Sequence, residues 1–272
     1  MNIQQTPIAF SGKIPANYDS FLGPMFFEPF ALDMADRISQ LSASNILELA
    51  SGTGRLTKLL TAVTGKDAVI TASDINPAMV NYGKEKVNDH KVKWMEVDAV
   101  TLPFKDHSFD SVVVQFGVMF YSDRIKAFKE AWRVLRPGGT FLFNCWDEIK
   151  NNPMPSIVNE TLVHFFPADT PAFYSVPFSY YDEKIITSDL LKSGFENIKI
   201  ELISLTGHSK SAKDAAKGLI EGTPTITAIE ERDALLLQPI LKDIEKKIED
   251  KFGNSHLIVP LKARVVAAFK GF

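Results

Sequence analysis

Little in this chain would tie it to a metal, a disulfide framework, a bilayer or a polyanion. One residue of 272 is cysteine, Cys145, which excludes an intrachain disulfide and any cysteine-based zinc cluster. The five histidines are scattered without ligand spacing, so no metal is expected. The formal net charge is −3 and no Lys/Arg-rich run occurs, which gives no electrostatic reason to expect binding to nucleic-acid phosphates. No apolar stretch approaches the roughly 20 residues that a spanning helix needs. Met1 to Pro7 lacks the charged and apolar blocks of a secretory leader. These absences lead to the expectation of a soluble cytoplasmic protein with no membrane insertion. Internal repeats and low-complexity tracts are missing too.

What is present is a globular composition, 45% apolar and 23% charged, with 20 phenylalanines that suit a large core or an apolar pocket. From about Asn45 to Trp146, short apolar runs alternate with helical patterns, the texture of a parallel α/β sheet. Ile46–Leu49 reads as a first buried strand, and Leu56, Leu59, Leu60 and Val63 mark one face of a helix after it. Further strands are expected at Ala68–Ala72, Val92–Val97, Ser111–Gln115 and Phe141–Phe143. Ile125, Phe128, Trp132 and Leu135 stripe a helix stopped by Pro137-Gly138-Gly139. Ile198–Leu202 and Leu261–Ala267 alternate apolar with charged residues, which fits an antiparallel pair at the sheet edge. Asn151–Tyr181, rich in proline and aromatics, reads as irregular, and helices follow over about Ala212–Gly253.

The strongest local signal is Glu48-Leu49-Ala50-Ser51-Gly52-Thr53-Gly54, between a buried strand and an amphipathic helix. Glycines there let the backbone turn sharply and admit a ligand without a Cβ in the way. A dinucleotide fold wants a third glycine three residues on, but Thr57 stands at that place. A cofactor without phosphate does not need that approach, so the turn favours an adenosyl amino acid over NAD or FAD. Asp74 lies 20 residues beyond Gly54, where a carboxylate can accept from both ribose hydroxyls. Its alternative role is the N-cap of the helix entered at Asn76-Pro77. Asp98 can accept an adenine amine while the Ala99 N–H donates to a ring nitrogen; the alternative is a turn-forming aspartate.

In order along the chain stand Glu48–Gly54, Ser73–Met79, Asp98-Ala99, Leu102-Pro103-Phe104, Ser108-Phe109-Asp110 and Glu130–Gly139. On these motifs the chain resembles the class I S-adenosylmethionine-dependent methyltransferases, and especially the ubiquinone/menaquinone-biosynthesis branch that acts on small molecules. The resemblance covers roughly residues 40–146 and implies a Rossmann-like α/β fold. Its sheet would have seven mostly parallel strands, the last antiparallel, with helices on both faces and a helical or irregular cap over the active site. The cap would come from about residues 1–40, 147–181 and 206–256 of a single domain. The cofactor implied is S-adenosyl-L-methionine. Gly52 and Gly54 would border its methionine part with Glu48 supporting the loop; Asp74 would take the ribose. Ile75 or Met79 would pack on the adenine, Asp98 and Ala99 would bind its edge, and Gln115 and Phe116 would lie near the methyl group. Tyr18 would touch the methionine part, or else pin the first helix to the core. Ala50 departs from the family, which commonly has glycine there.

A sulfonium carries its own leaving group, so alignment and removal of water can suffice for an amine or an acidic phenol. If a base is used, His164 and His208 are the candidates in the less regular regions, each against a structural or surface role. Phe165, Phe166, Phe173, Tyr174, Phe178, Tyr180 and Tyr181 would line an apolar acceptor pocket or fill the core of the cap. The expected activity is methyl transfer to a small, aromatic or otherwise apolar metabolite, on oxygen or nitrogen before carbon. Competing readings are a non-catalytic module that binds the same cofactor and, more remotely, a nicotinamide-dependent oxidoreductase.

Overall fold

The computed structural model describes residues 12–272; the leader reading of Met1 to Pro7 and the start of the expected cap fall outside them. In chain order the elements are α1 (Ile14–Asn17), a π-helix (Tyr18–Phe27), α2 (Glu28–Ser39), β1 (Asn45–Leu49), α3 (Arg55–Val63) and β2 (Val69–Asp74). Next come α4 (Pro77–Lys86), β3 (Val92–Glu96), β4 (Phe109–Gln115), α5 (Arg124–Val134), β5 (Leu135–Trp146) and α6 (Pro153–Phe165). The chain closes with α7 (Glu183–Lys192), β6 (Glu196–Ser211), α8 (Ala212–Glu221), α9 (Thr225–Asp233), α10 (Leu237–Phe252) and β7 (Ser255–Phe269).

These elements divide between two compact units. Phe30–Asp147, Pro177–Ile203 and Ala263–Phe272 form the sheet unit. The sheet has seven strands in the order β3-β2-β1-β4-β5-β7-β6. β1 pairs in parallel with β2 and β4, β2 with β3 and β4 with β5, while β7 runs antiparallel to β5. The fold is the Rossmann-like one that the sequence implied, with helices on both faces.

Alternation along the central strands decides what each face meets. Val113 of β4 and Leu142 of β5 share a core with Ala31, Met34 and Ile38 of α2 and Leu56 and Leu60 of α3. On the other face Phe141 and Phe143 pack on Phe128 of α5, with Phe195 stacked on Phe141. Consecutive strand residues point to opposite faces, so runs apolar at every position are what a sheet covered on both sides requires.

The other unit comprises the described part of Met1–Pro29 with Glu148–Val176 and Ser204–Lys262. It holds the π-helix, α1, α6, α8, α9 and α10. Within it, Asn152 exchanges two side-chain hydrogen bonds with the backbone of Lys262, at 2.9 and 3.1 Å. None of the described helices is long and apolar enough to cross a membrane.

Two stretches differ from expectation. Asn151–Tyr181 contains the 13-residue α6 where irregular chain was read. Its prolines fall in the first turn, where a helix has no internal N–H bond to lose, and Ile157, Val158, Thr161 and Leu162 supply the buried stripe. β5 also begins at Leu135 rather than Phe141, running through Pro137-Gly138-Gly139. Gly138 takes a φ of +76°, and the register with β4 shifts between Phe109 and Ser111, so an irregularity absorbs the turn chemistry without ending the strand.

Candidate cofactor site

The chain builds outward from β1 to β2 and β3 on one side, then crosses to β4 on the other. Loops leaving neighbouring strands therefore diverge at the carboxyl ends of β1 and β4, opening the crevice where ligands bind in sheets of this kind. The glycine turn leaves β1 at this place, and Phe116–Tyr121 leaves β4.

Cross-strand bonds hold the turn. Ser51 N–H donates to the Ser73 carbonyl at 2.8 Å, and the Ser73 hydroxyl donates to the Glu48 carbonyl at 2.9 Å. Gly54, with φ +78°, opens α3. Gly52 has φ +54°, and a Cβ placed on it would meet no atom within 4 Å, so the glycine faces open space. Thr57, which occupies the place of a third glycine, is fully buried and donates to Glu48 Oε2 at 2.6 Å. Its hydroxyl orients the acid that starts the motif.

Asp74 ends β2 with its carboxylate buried. Oδ2 accepts from the Gly52 N–H and Oδ1 from the Asn76 N–H, both at 2.9 Å. The cap of α4 is Asn76, whose Oδ1 accepts from Ala78, so the capping alternative for Asp74 falls away. A carboxylate has about four lone-pair sites, and the two bonds leave capacity for a ligand. Burial raises the pKa of Asp74, opposed by the N–H groups of Asn76, Gly52 and Ile75. Burial likewise pushes Glu48 up to about 8, with the Thr57 hydroxyl opposing and the charge of Asp74 adding.

Beyond Asp74, Ile75 is 55% exposed while Met79 is buried. An isoleucine left bare beside a buried methionine is apolar surface suited to a flat base. Asp98 is exposed, its Oδ1 accepting from Val100 at 3.0 Å in a turn, and Ala99 is buried. Trp94 of β3 backs the site: a Cβ on Gly83 of α4 would lie 2.4 Å from its ring.

On the β4 side, Gln115 is half-buried and Phe116 buried. The Phe116 ring stacks on Trp146 at 3.8 Å, with Phe30 edge-on to both. Its N–H donates to Asn144 Oδ1 at 2.8 Å. Ala50 and Phe116 both hold φ in the left-handed region, at +53° and +51°. A Cβ on Gly117 would come within 2.5 Å of the Ala50 methyl, so the β4 loop cedes the space that Ala50 takes.

Tyr18 belongs to the helical unit, where its ring stacks on Phe27 at 4.6 Å. His164, on α6, and His208, on β6, are exposed in that same unit. The aromatic stretch is divided. Tyr174 is buried with its hydroxyl donating to the Leu219 carbonyl, Tyr180 donates to Asp189, and Phe178 packs near Trp146. Those three are core. Cys145 is fully buried, its thiol pushed up to about 12 by desolvation.

Ser51, Tyr121 and Asn144 were not legible as site residues. Among the described residues five buried side-chain polar atoms have no hydrogen-bond partner, and four are Glu48 Oε1, Ser51 Oγ, Tyr121 OH and Asn144 Nδ2. Buried polar groups are ordinarily satisfied, so unsatisfied donors and acceptors gathered at one set of strand ends fit a polar ligand. With open space at Gly52, they fit the amino acid and nucleoside parts of an adenosyl cofactor.

The fold, with its polar crevice at the ends of β1 and β4, is that of the class I S-adenosylmethionine-dependent methyltransferases. The sequence matches the ubiE/COQ5 methyltransferase family over residues 13–168, more than half of the chain, and the chain belongs to that family. It is 33% identical over 126 residues to the ubiquinone/menaquinone biosynthesis C-methyltransferase UbiE of Proteus mirabilis, covering 45% of this chain and 50% of that one. To the Yersinia enterocolitica protein of the same name it is 29% identical over 176 residues, 60% of this chain and 69% of the relative. The match thus spans half the length of the Proteus relative. A putative methyltransferase of Bacillus halodurans C-125 shares the fold, with TM-score 0.58, 18% identity, and coverage of 89% of this chain and 99% of that one. Membership in this family sets aside the nicotinamide reading.

Proposed function

We propose that the chain transfers a methyl group from S-adenosyl-L-methionine to a small, aromatic or otherwise apolar metabolite in the cytoplasm. The observation that carries this reading is the group of unsatisfied buried polar atoms around the glycine turn. When bound, the cofactor supplies an electrophilic methyl on a sulfonium leaving group. Glu48 and Ser51 face its amino acid part across Gly52 and Gly54. Asp74, already fixed by two backbone donors, accepts the ribose hydroxyls. Ile75 and Met79 cover the adenine, with Asp98 and Ala99 at its edge. Gln115, Phe116 and Ala50 border the methyl end, where the Phe116–Trp146 stack excludes water.

The acceptor atom is assigned as oxygen or nitrogen, for which alignment and removal of water can suffice without a dedicated base. The name of the Proteus relative favours carbon instead. Tyr18 is the candidate from the family resemblance for touching the methionine part, and His164 or His208 the candidate base where one is used.

Calorimetry with S-adenosylmethionine and S-adenosylhomocysteine tests cofactor use. A metabolite-extract assay with methyl-labelled cofactor then gives the acceptor, and NMR of the product places the label on O, N or C. Asp74→Ala is expected to weaken cofactor binding by two orders of magnitude or more, from loss of charge-assisted bonds worth about 1.5–3 kcal/mol each. Unchanged affinity in the folded variant rules out the ribose assignment.

A further inference from the structure

Tyr121 lies where the chain leaves β4 for α5, just past the short 3-10 turn Val118–Phe120. Its ring is half-buried, yet its hydroxyl has no solvent access and no hydrogen-bond partner among the described residues. A tyrosine turned toward the core normally finds a partner for its O–H. Tyr174 and Tyr180 do so, with Leu219 and Asp189. A phenylalanine at position 121 would fill the same volume without an unpaired hydroxyl, so the fold alone does not account for the oxygen.

Two acids of the crevice lie within electrostatic reach of the hydroxyl. The charges of Asp74, at the end of β2, and Asp98, past β3, both act on it. Desolvation above all, and then these charges, hold its pKa well above the ordinary tyrosine range, so it remains a donor. Neither acid takes its proton in a hydrogen bond. The group is thus a committed donor, stripped of water, on the β4 side of the crevice opposite two acids assigned to the nucleoside.

We propose that Tyr121 is a further binding residue of the cofactor site, its hydroxyl donating to an acceptor atom of the adenosine held between Asp74 and Asp98. The assignment rests on the cofactor reading above. It adds a contact from the β4 side, so the nucleoside is held from both banks of the crevice. Because the missing partner comes with the ligand, Tyr121 raises affinity at the expense of the empty protein.

That division gives the test two readouts with opposite signs. In Tyr121→Phe, affinity for S-adenosylhomocysteine by calorimetry is expected to fall about tenfold, with KM for S-adenosylmethionine raised and kcat retained. The melting temperature of the ligand-free variant is expected to stay level or rise, since an unsatisfied group has been removed. Equal affinity of variant and parent overturns the proposal. A ligand-free variant that melts several degrees lower overturns it as well, because the hydroxyl then has a structural partner. If the unmodified protein ignores both cofactor forms at millimolar concentration, the cofactor reading fails instead, and that failure is visible before any variant is made.

Discussion

Glu48 and Asp74 stand at the ends of neighbouring strands, two buried acids each pushed toward its protonated form. Their energetics are pH-dependent in a definite direction. Glu48 holds its proton up to about pH 8 when folded, against an ordinary value of 4.5. Below about 4.5 both states are protonated and there is no penalty. Between the two values unfolding releases a proton, so stability falls as pH rises, by at most about 1.4 kcal/mol per pH unit. Glu48→Gln keeps an acceptor for Thr57 and removes the titration. Urea unfolding of the ligand-free protein at pH 5, 6.5 and 8 is expected to show stability dropping in the parent and a flatter profile in the variant; parallel profiles would refute the shift. At this scale Gly52, Gly54 and Asp74 were readable from sequence because turn chemistry and spacing are local. The 2.5 Å approach between Ala50 and position 117 was not, because β1 and β4 lie far apart in the chain and meet only through sheet pairing.

Among the elements, the ten-residue π-helix Tyr18–Phe27 stands apart, with Pro24 inside it. π-geometry is rare beyond a single turn, so neighbouring structure must support it. Three glycines of the same unit leave room for its backbone: Gly218 beside Phe21, Gly222 beside Tyr18, and Gly207 of β6 beside Met25. A Cβ at Gly207 would lie 1.8 Å from the Met25 carbonyl oxygen, a backbone atom with no side-chain freedom to yield. Gly207→Ala is therefore expected to cost roughly 3 kcal/mol or more, as overpacking against an immobile partner does. Calorimetric melting checks this; a variant within a degree of the parent would show that the segment is not held so closely. Sequence patterning found α3, α5 and α10 because amphipathic stripes are periodic. It missed α6, since a stretch rich in proline and aromatics reads as irregular, whereas Pro153 and Pro155 fall in the first turn, where proline starts a helix.

For the whole molecule, a ligand that binds only the folded state stabilises it by mass action, about 2.7 kcal/mol at one hundred times Kd. For a protein of this size that corresponds to a rise of roughly 5–10 °C in melting temperature. S-adenosylhomocysteine is expected to produce such a rise, with hydrogen exchange slowed over Glu48–Gly54, Asp74–Met79 and Gln115–Tyr121. Protection absent from these segments would place the site elsewhere. The amino-acid sequence by itself determined the sheet class, the order of its parallel strands along the chain, and the glycine turn with the acid that follows it at the end of β2. Each depends on periodicity or on residues near one another in the chain. Only the tertiary structure decided which polar atoms were left wanting a partner, the Tyr121 hydroxyl among them, and that Thr57 serves Glu48. Satisfaction of a buried group depends on every atom packed around it, and those atoms come from strands that the chain visits far apart.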